Sequence, residues 1–193
     1  MISRRTLIGL VVAALLATAG YLSLPPPWPR HSPDLGLLTI GGEKLQLAGY
    51  RGRPLLVTFW ATTCASCVRE LPHLIELYEE LHPRGLEIIG IAMAYDPPNL
   101  VLAMSRERNI PYPVALDIDS VAARAFGDIR VTPTTFLIAP DGRIVYYRIG
   151  TLDMAEIRQD ILDMLSSRHG TARPAPQTSQ EQRHSCYGSR HYT

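Results

Sequence analysis

Residues 55–72 read LLVTFWATTCASCVRELP, and this stretch decides the fold. Leu55–Trp60 is a continuous apolar run, which is typical of a strand covered on both faces of a sheet. Apolar side chains then recur at helical spacing, which predicts an amphipathic helix over about Ala65–His82. The sequence therefore predicts a buried strand that leads directly into a long helix, with Cys64 and Cys67 at the junction.

The two cysteines stand where the predicted helix begins, and this position favours their ionised form. A side chain there lies among backbone N–H groups that have no helical partner, at the positive end of the helix dipole. Both effects favour thiolate over thiol, so the pKa of Cys64 is expected below the free value of about 8.5. The two-residue spacing lets the pair close into a disulfide. We expect Cys64 to be the exposed attacking thiolate and Cys67 the buried thiol that resolves a mixed disulfide.

Metal binding is the main alternative use of these cysteines. A structural zinc site with four cysteine ligands needs a second pair, and the sequence holds one further cysteine, Cys186. His73 could join the pair, but it lies six residues beyond Cys67, at an unfavourable rotation of about 240° on the helix. An inert structural disulfide is a further alternative. Redox exchange is the favoured interpretation, no metal or other cofactor is expected, and Cys186 is expected to be unstructured.

Residues 1–24 carry the pattern of an export segment. Arg4 and Arg5 precede an uncharged apolar run over residues 6–24. At ~1.5 Å per residue this run reaches about 28 Å, which just crosses the hydrocarbon core of a bilayer. Positive charges before such a run indicate that the following domain lies outside the cytoplasm. An uncleaved single-pass anchor is favoured over a cleaved signal peptide or a buried core helix, and the Pro-rich residues 25–34 are expected to form a stiff linker.

Residues 35–165 are predicted to form one α/β domain. The expected elements are a hairpin over 37–47, strands over 55–60 and 86–93, helices over 65–82, 99–109 and 120–126, a hairpin over 135–147, and a last helix from Asp153 to about Leu165. Parallel strands joined by helices and closed by an antiparallel hairpin imply a central mixed sheet with helices on both faces. Asn99 is the expected cap of its helix, and the polar residues 166–193 are expected to form a disordered tail.

Two distant motifs together resemble the thioredoxin superfamily. The first covers Phe59–Cys67 and continues with Arg69–Pro72, and the second is Val131–Phe136. Over the whole predicted domain, the chain more narrowly resembles the membrane-anchored, TlpA/ResA-like thiol–disulfide oxidoreductases of bacterial envelopes. The resemblance implies a thioredoxin fold in which Pro133 is cis and lies against the cysteine pair, so that the backbone of Thr132 can pair with a substrate strand.

Further residues near the two motifs are candidates for a docking surface or for proton transfer at the cysteine pair. Trp60 is expected to pack near the thiols, as an exposed aromatic that shapes the docking surface. Thr58 stands where cytoplasmic thioredoxins carry a buried Asp. Some ResA-like members use a Glu after the next strand, and Tyr95 stands at that place, next to Asp96. If Asp96 points inward, it could accept the proton of Cys67 through water; if it points outward, it merely begins the following turn, and this orientation is favoured.

Net charge and the residues between the cysteines limit the classes of partner and the reduction potential that the sequence predicts. The chain has 19 Lys and Arg against 18 Asp and Glu, a formal charge of +1, so it has no strong field that would recruit nucleic acid. Ala65 and Ser66 bring no charge and no histidine between the cysteines. The histidine of strongly oxidising DsbA-like motifs stabilises the thiolate and raises the potential, so its absence predicts a reducing to intermediate potential.

The resulting hypothesis is a disulfide-reducing enzyme at the outer face of the bacterial inner membrane. The expected partners are disulfide-containing envelope proteins and a membrane thiol donor that re-reduces the enzyme. The resemblance implies apocytochrome c or the copper-site cysteines of an oxidase as substrates. If residues 1–24 are cleaved, the domain is secreted instead. Three alternatives stay open: a Cu(I) chaperone that uses both thiolates, a net disulfide-forming oxidant, and a peroxidase of related fold.

Overall fold

The computed structural model describes residues 8–10, 12–16, 18 and 28–169. Most of the predicted export segment lies outside these residues, as do Cys186 and the rest of the predicted tail from residue 170. Within the described part of the chain, no helix combines the length and the apolar character needed to cross a bilayer. The membrane anchor and the tail beyond residue 169 therefore stay predictions.

A mixed sheet forms the centre of the fold within residues 28–169. Its strands are β1 Gly36–Thr39, β2 Lys44–Gln46, β3 Leu55–Trp60, β4 Glu87–Ala92, β5 Val114–Leu116, β6 Thr134–Ile138 and β7 Ile144–Ile149, in the order β2-β1-β5-β4-β3-β6-β7. The strands β3, β4 and β5 run parallel, whereas the remaining neighbours pair antiparallel. The predicted mixed sheet with its N-terminal hairpin is confirmed.

Helices cover both faces of this sheet. They are α1 Ala65–Leu81, α2 Pro98–Glu107, α3 Val121–Ala125 and α4 Met154–His169, with short 3₁₀ helices at Leu47–Tyr50 and His82–Arg84. Alternate residues of β3 point to opposite faces. Leu56 and Trp60 pack in the apolar cluster that also holds residues of α1, α2 and α4. Val57 and Phe59 pack in the second cluster, with Ala122 of α3. The apolar run of β3 therefore fits a strand that is buried on both sides.

The sequence patterns missed one strand. Three residues, Val114–Leu116, form β5, which pairs parallel with β4 and antiparallel with β1. A three-residue strand that follows Pro111 and Pro113 is too short to have a measurable period, and prolines ordinarily indicate a break. This strand connects the N-terminal hairpin to the parallel strands, so it joins two predicted parts into one sheet.

Helix ends differ from the predictions in two places. The predicted Asn99 cap is wrong: α2 begins at Pro98 after Pro97, and no side chain caps it. Proline suits the first helical position because it has no N–H to satisfy and its φ angle is already helical. The last helix, α4, continues to His169, so residues 166–169 are helical and do not belong to the predicted tail. The Oδ1 of Asp153 accepts hydrogen bonds from the backbone N–H groups of Ala155 and Glu156 at the start of α4.

Residues 28–32 pack on the domain instead of forming the second half of a spacer. The Trp28 ring stacks on Tyr147 of β7, with ring centroids 4.3 Å apart. His31 forms an antiparallel bridge with Arg143 at the start of β7. An edge strand tolerates a proline-containing partner, because prolines can lie where no ladder hydrogen bond is needed. These contacts therefore involve residues that precede the predicted boundary at residue 35.

Candidate active site

The disulfide lies where β3 passes into α1. Cys64 and Cys67 are bonded, with their Cα atoms 5.3 Å apart. Cys64 is the N-cap of α1, with extended backbone angles, and its Sγ accepts a hydrogen bond from the backbone N–H of Cys67 at 3.2 Å. The hydroxyl of Ser66 lies 3.3 Å from the same sulfur. These donors reach the sulfur of Cys64 at the positive end of the helix, so a thiolate there would be stabilised.

The two sulfurs differ in exposure. Cys64 is half-buried, whereas Cys67 is 4% exposed and belongs to the apolar cluster under α1. Helical geometry explains the difference, because the cap residue lies outside the first turn while Cys67 lies inside it, on the face turned to the sheet. The pair therefore presents one sulfur to the surface and keeps the other beneath it.

The loop before β6 lies at the same edge of the sheet. Phe59 at the end of β3 pairs with Thr134 at the start of β6. The residues before Thr134 therefore lie next to the loop that carries the cysteines. The Thr132–Pro133 peptide bond is cis. Pro133 is buried and lines a cavity together with Cys67, whereas Thr132 is half-buried. The structure thus brings together the two motifs that stand far apart in the sequence.

A small cavity lies behind Cys67. Its volume is about 10 Å³, close to what one water molecule needs. It is lined by Thr58, Trp60, Cys67, Glu70, Leu71, Leu74, Tyr112 and Pro133. Trp60 is only 4% exposed, so the expectation of an exposed docking aromatic is wrong. The reason is its position at the end of β3, where α1 covers the face to which the indole points.

Glu70 is a functional candidate that the sequence analysis missed. It lines the cavity with Cys67 and is 5% exposed. Its Oε1 accepts a hydrogen bond from the backbone N–H of Leu152 at 2.6 Å. Burial raises the pKa of Glu70, while the Leu152 hydrogen bond and the nearby His73 oppose this rise. The available signal was spacing, since residues three apart on a helix share a face and Glu70 follows Cys67 by three.

This burial predicts how a Glu70→Gln variant responds to pH. Because the folded pKa of Glu70 is raised above its ordinary 4.5, the folded state loses stability as pH rises from about 4.5 through that raised pKa. Gln cannot ionise and keeps an oxygen for Leu152. Urea unfolding should therefore find that the free energy of unfolding of Glu70→Gln, relative to wild type, increases between about pH 4 and neutral pH. A difference that does not change with pH would contradict a buried, ionisable Glu70.

Asp96 is turned inward, so the favoured outward orientation is wrong. It is 4% exposed, and its two carboxylate oxygens accept from the backbone N–H and the hydroxyl of Thr62, each at 2.6 Å. Asp96 is not among the residues that line the cavity behind Cys67. The carboxylate therefore contacts the loop before Cys64, whereas Glu70 is the carboxyl group that shares a cavity with Cys67.

Thr58, which stands where cytoplasmic thioredoxins carry a buried Asp, forms a hydrogen bond with a second hydroxyl group. Thr58 is 3% exposed, and its oxygen accepts a hydrogen bond from the hydroxyl of Thr135 at 3.0 Å. In the described part of the chain, no group of three or more His, Cys, Asp and Glu side chains is arranged to hold a metal ion.

The thioredoxin fold and the cysteine pair at the start of α1 define the class: this is a thiol–disulfide oxidoreductase. Residues 30–147 match the AhpC/TSA family, and the chain belongs to that family. It is 31% identical over 131 residues to the thiol-disulfide oxidoreductase ResA of Geobacillus thermodenitrificans, an alignment that covers 67% of this chain and 74% of the relative. It is 29% identical over 121 residues to ResA of Bacillus subtilis, covering 63% of this chain and 66% of the relative.

Solved structures agree with this class. A putative thioredoxin from Neisseria meningitidis is 26% identical and superimposes with a TM-score of 0.66, covering 72% of this chain and 92% of that chain. A thiol:disulfide interchange protein from Chlorobium tepidum is also 26% identical, with a TM-score of 0.65 over 71% of this chain and 97% of that chain. The predicted fold and the predicted enzyme class are therefore confirmed.

Proposed function

We propose that the chain reduces disulfides in proteins of the bacterial envelope through the Cys64–Cys67 pair. The observation that carries this proposal is the contrast between the two sulfurs. The half-buried sulfur of Cys64 accepts a backbone hydrogen bond at the start of α1. The sulfur of Cys67 lies beneath it, against a cavity that also holds Glu70. This contrast supports the proposal that Cys64 captures the substrate and Cys67 releases it.

The reaction begins with attack by the Cys64 thiolate on a substrate disulfide. The substrate S–S bond breaks, a mixed disulfide forms on Cys64, and the first substrate sulfur leaves as a thiolate that takes a proton from solvent. Cys67 then loses its proton and attacks the Cys64 sulfur of the mixed disulfide. The second substrate sulfur leaves, and the Cys64–Cys67 disulfide forms. Two electrons pass from the enzyme to the substrate, and a membrane thiol donor restores them.

Glu70 is proposed as the group that takes the proton of Cys67, in place of Asp96. One of its oxygens is held by the N–H of Leu152, which leaves the other for the cavity. A raised pKa makes its carboxylate a better base near neutral pH than an ordinary glutamate. A water in the cavity would carry the proton between Cys67 and Glu70, since the space suits one molecule.

Substrate binding is assigned to the loop before β6. Thr132 is half-buried and precedes the buried Pro133, which lines the cavity with Cys67. A strand of the substrate that hydrogen-bonds to the backbone of Thr132 would place its disulfide over Cys64. Trp60 is proposed to support this surface from below as a wall of the cavity, and not to contact substrate.

The domain is proposed to act in the bacterial envelope, on substrates that are located there. Residues 1–24 are proposed to anchor the domain at the outer face of the inner membrane, where disulfides persist and need a dedicated reductant. The family resemblance supports cysteines of apocytochrome c or of an oxidase copper site as substrates. The domain of residues 28–169 would follow the anchor after the prolines of residues 25–27, with residues 170–193 as a tail.

The reduction potential of the Cys64–Cys67 pair tests the direction of the reaction. Equilibration of the protein with glutathione redox buffers, followed by separation of the thiol and disulfide forms, gives this potential. We expect a potential nearer that of thioredoxin, about −270 mV, than that of DsbA, about −120 mV. A value near −120 mV would contradict net reduction and favour a disulfide-forming enzyme.

A further inference from the structure

We infer that Asp96 is a positioning residue, which holds the β3–α1 loop at Thr62 and thereby keeps the sulfur of Cys64 in its capping place on α1. This inference rests on the proposed role of Cys64 as the attacking sulfur. It assigns to Asp96 a task different from proton transfer, because Asp96 acts on the reacting sulfur only through Thr62.

The contact between Asp96 and Thr62 uses both oxygens of one carboxylate. Oδ2 accepts from the backbone N–H of Thr62 and Oδ1 accepts from its hydroxyl, each at 2.6 Å. Among the side chains that the structure describes, which end at residue 167, no Lys, Arg or His forms an ion pair with Asp96. A buried charge is costly unless hydrogen bonds compensate it, so the two bonds from Thr62 are the main reason that this carboxylate can stay buried.

The β3–α1 loop, which holds Thr62, and the turn after β4, which holds Asp96, are also joined by backbone hydrogen bonds. The backbone N–H of Met93 donates to the oxygen of Trp60 at 3.0 Å, and that of Asp96 donates to Met93 at 2.9 Å. These two hydrogen bonds attach the turn after β4 to the end of β3. The Asp96–Thr62 contact extends this attachment by two residues, up to the turn in which the N–H of Cys64 donates to Ala61 at 3.1 Å.

This attachment matters because the stabilisation of a Cys64 thiolate depends on the position of its sulfur at the start of α1. The sulfur accepts from the N–H of Cys67 only while Cys64 keeps its extended cap conformation. If the loop at Thr62 moves freely, this hydrogen bond is made for a smaller fraction of the time, and the thiolate loses stabilisation. The negative charge of Asp96 by itself would act in the opposite direction, since a nearby anion disfavours a thiolate. Loss of the Asp96–Thr62 contact should therefore raise the pKa of Cys64, whereas loss of the negative charge alone should lower this pKa.

Substitutions at Asp96 separate these two effects. The test measures the pH dependence of iodoacetamide alkylation at Cys64 in the reduced protein, located by mass spectrometry. In Asp96→Asn, the amide oxygen can accept from the Thr62 N–H and the amide N–H₂ can donate to the Thr62 hydroxyl. We expect Asp96→Asn to keep the wild-type alkylation profile or to move it towards lower pH, because the geometry is kept and the negative charge is removed. We expect Asp96→Ala to move the profile towards higher pH and to slow insulin reduction about tenfold, as loss of a charge-assisted hydrogen bond would do.

Substitutions at Thr62 test the other side of the contact and do not remove a buried charge. Thr62→Val removes only the hydroxyl and should shift the profile in the same direction as Asp96→Ala, while Thr62→Ser should match wild type. If Asp96→Asn shifts the profile as far as Asp96→Ala, or if Thr62→Val leaves it unchanged, the inference is wrong. Failure of the proposed function would look different, because wild-type protein would then not reduce insulin although Cys64 still alkylates.

Discussion

Replacing Cys64 with Ser is expected to reduce insulin reduction by dithiothreitol to the rate seen without enzyme. A hydroxyl stays protonated at neutral pH and does not displace a sulfur from a disulfide, so the first step of the proposed reaction is lost. The sulfur of Cys64 is the more exposed one of the pair, and its hydrogen bond from the Cys67 N–H favours its ionised form. The rate of insulin precipitation, followed by turbidity, measures the effect.

The chain provides a matched control for this experiment. Cys186 is the third cysteine of the sequence and lies far along the chain from the pair. Cys186→Ser should keep the wild-type rate, which separates loss of the attacking thiol from loss of any thiol. Unchanged turnover in Cys64→Ser would contradict the proposed order of attack. The same result would also remove the main support for the assignment of α1 as the element that activates the sulfur.

Replacing Cys67 with Ser is expected to convert a catalyst into a trap. Cys64 can still capture a substrate disulfide, but no second thiol is present to displace the substrate, so the mixed disulfide should persist. Cys67 is 4% exposed and lies under Cys64, so in this variant the buried position next to the mixed disulfide holds a hydroxyl and no thiol. An envelope extract treated with this variant should yield adducts that dithiothreitol releases, and mass spectrometry of these adducts identifies the substrates.

The reciprocal variant controls the trapping experiment. Cys64→Ser should accumulate no adduct, because Cys67 is buried against the cavity and substrates do not reach it. Adducts on Cys67 in Cys64→Ser, with none on Cys64 in Cys67→Ser, would reverse the two proposed roles. Peptide mapping of the adduct distinguishes these outcomes, since it locates the cysteine that carries the substrate.

The central elements of the fold could be predicted because their sequence patterns are strong and local. Leu55–Trp60 has buried residues throughout, and α1 repeats apolar residues on one face over 17 residues. Both patterns are fixed by contact with the core: the strand is a continuous apolar run, and the helix repeats apolar residues at the helical period. By contrast, Val114–Leu116 becomes a strand only because β1 and β4 lie on either side of it. That information is in the tertiary structure and not in three residues.

The site was predictable to the extent that it depends on backbone geometry. A cysteine at the start of a helix is visible in the sequence, and the structure has Cys64 as the cap. The partners of the two carboxylates were not visible. Asp96 faces inward because Thr62, thirty-four residues earlier, offers it two donors. Glu70 lines the cavity behind Cys67 and accepts a hydrogen bond from Leu152, eighty-two residues later in the chain. Such long-range contacts follow from the fold and leave no periodic signal.

The pH dependence of Cys64 alkylation tests the central claim most directly. The claim is that the start of α1 ionises this sulfur near neutral pH, through the backbone N–H of Cys67 and the positive end of the helix. Reduced wild-type protein is treated with iodoacetamide across a pH series, and the rate at Cys64 is followed by mass spectrometry. The account predicts a half-maximal rate at a pH clearly below the value of about 8.5 for a free cysteine. A half-maximal rate at or above that pH would contradict it.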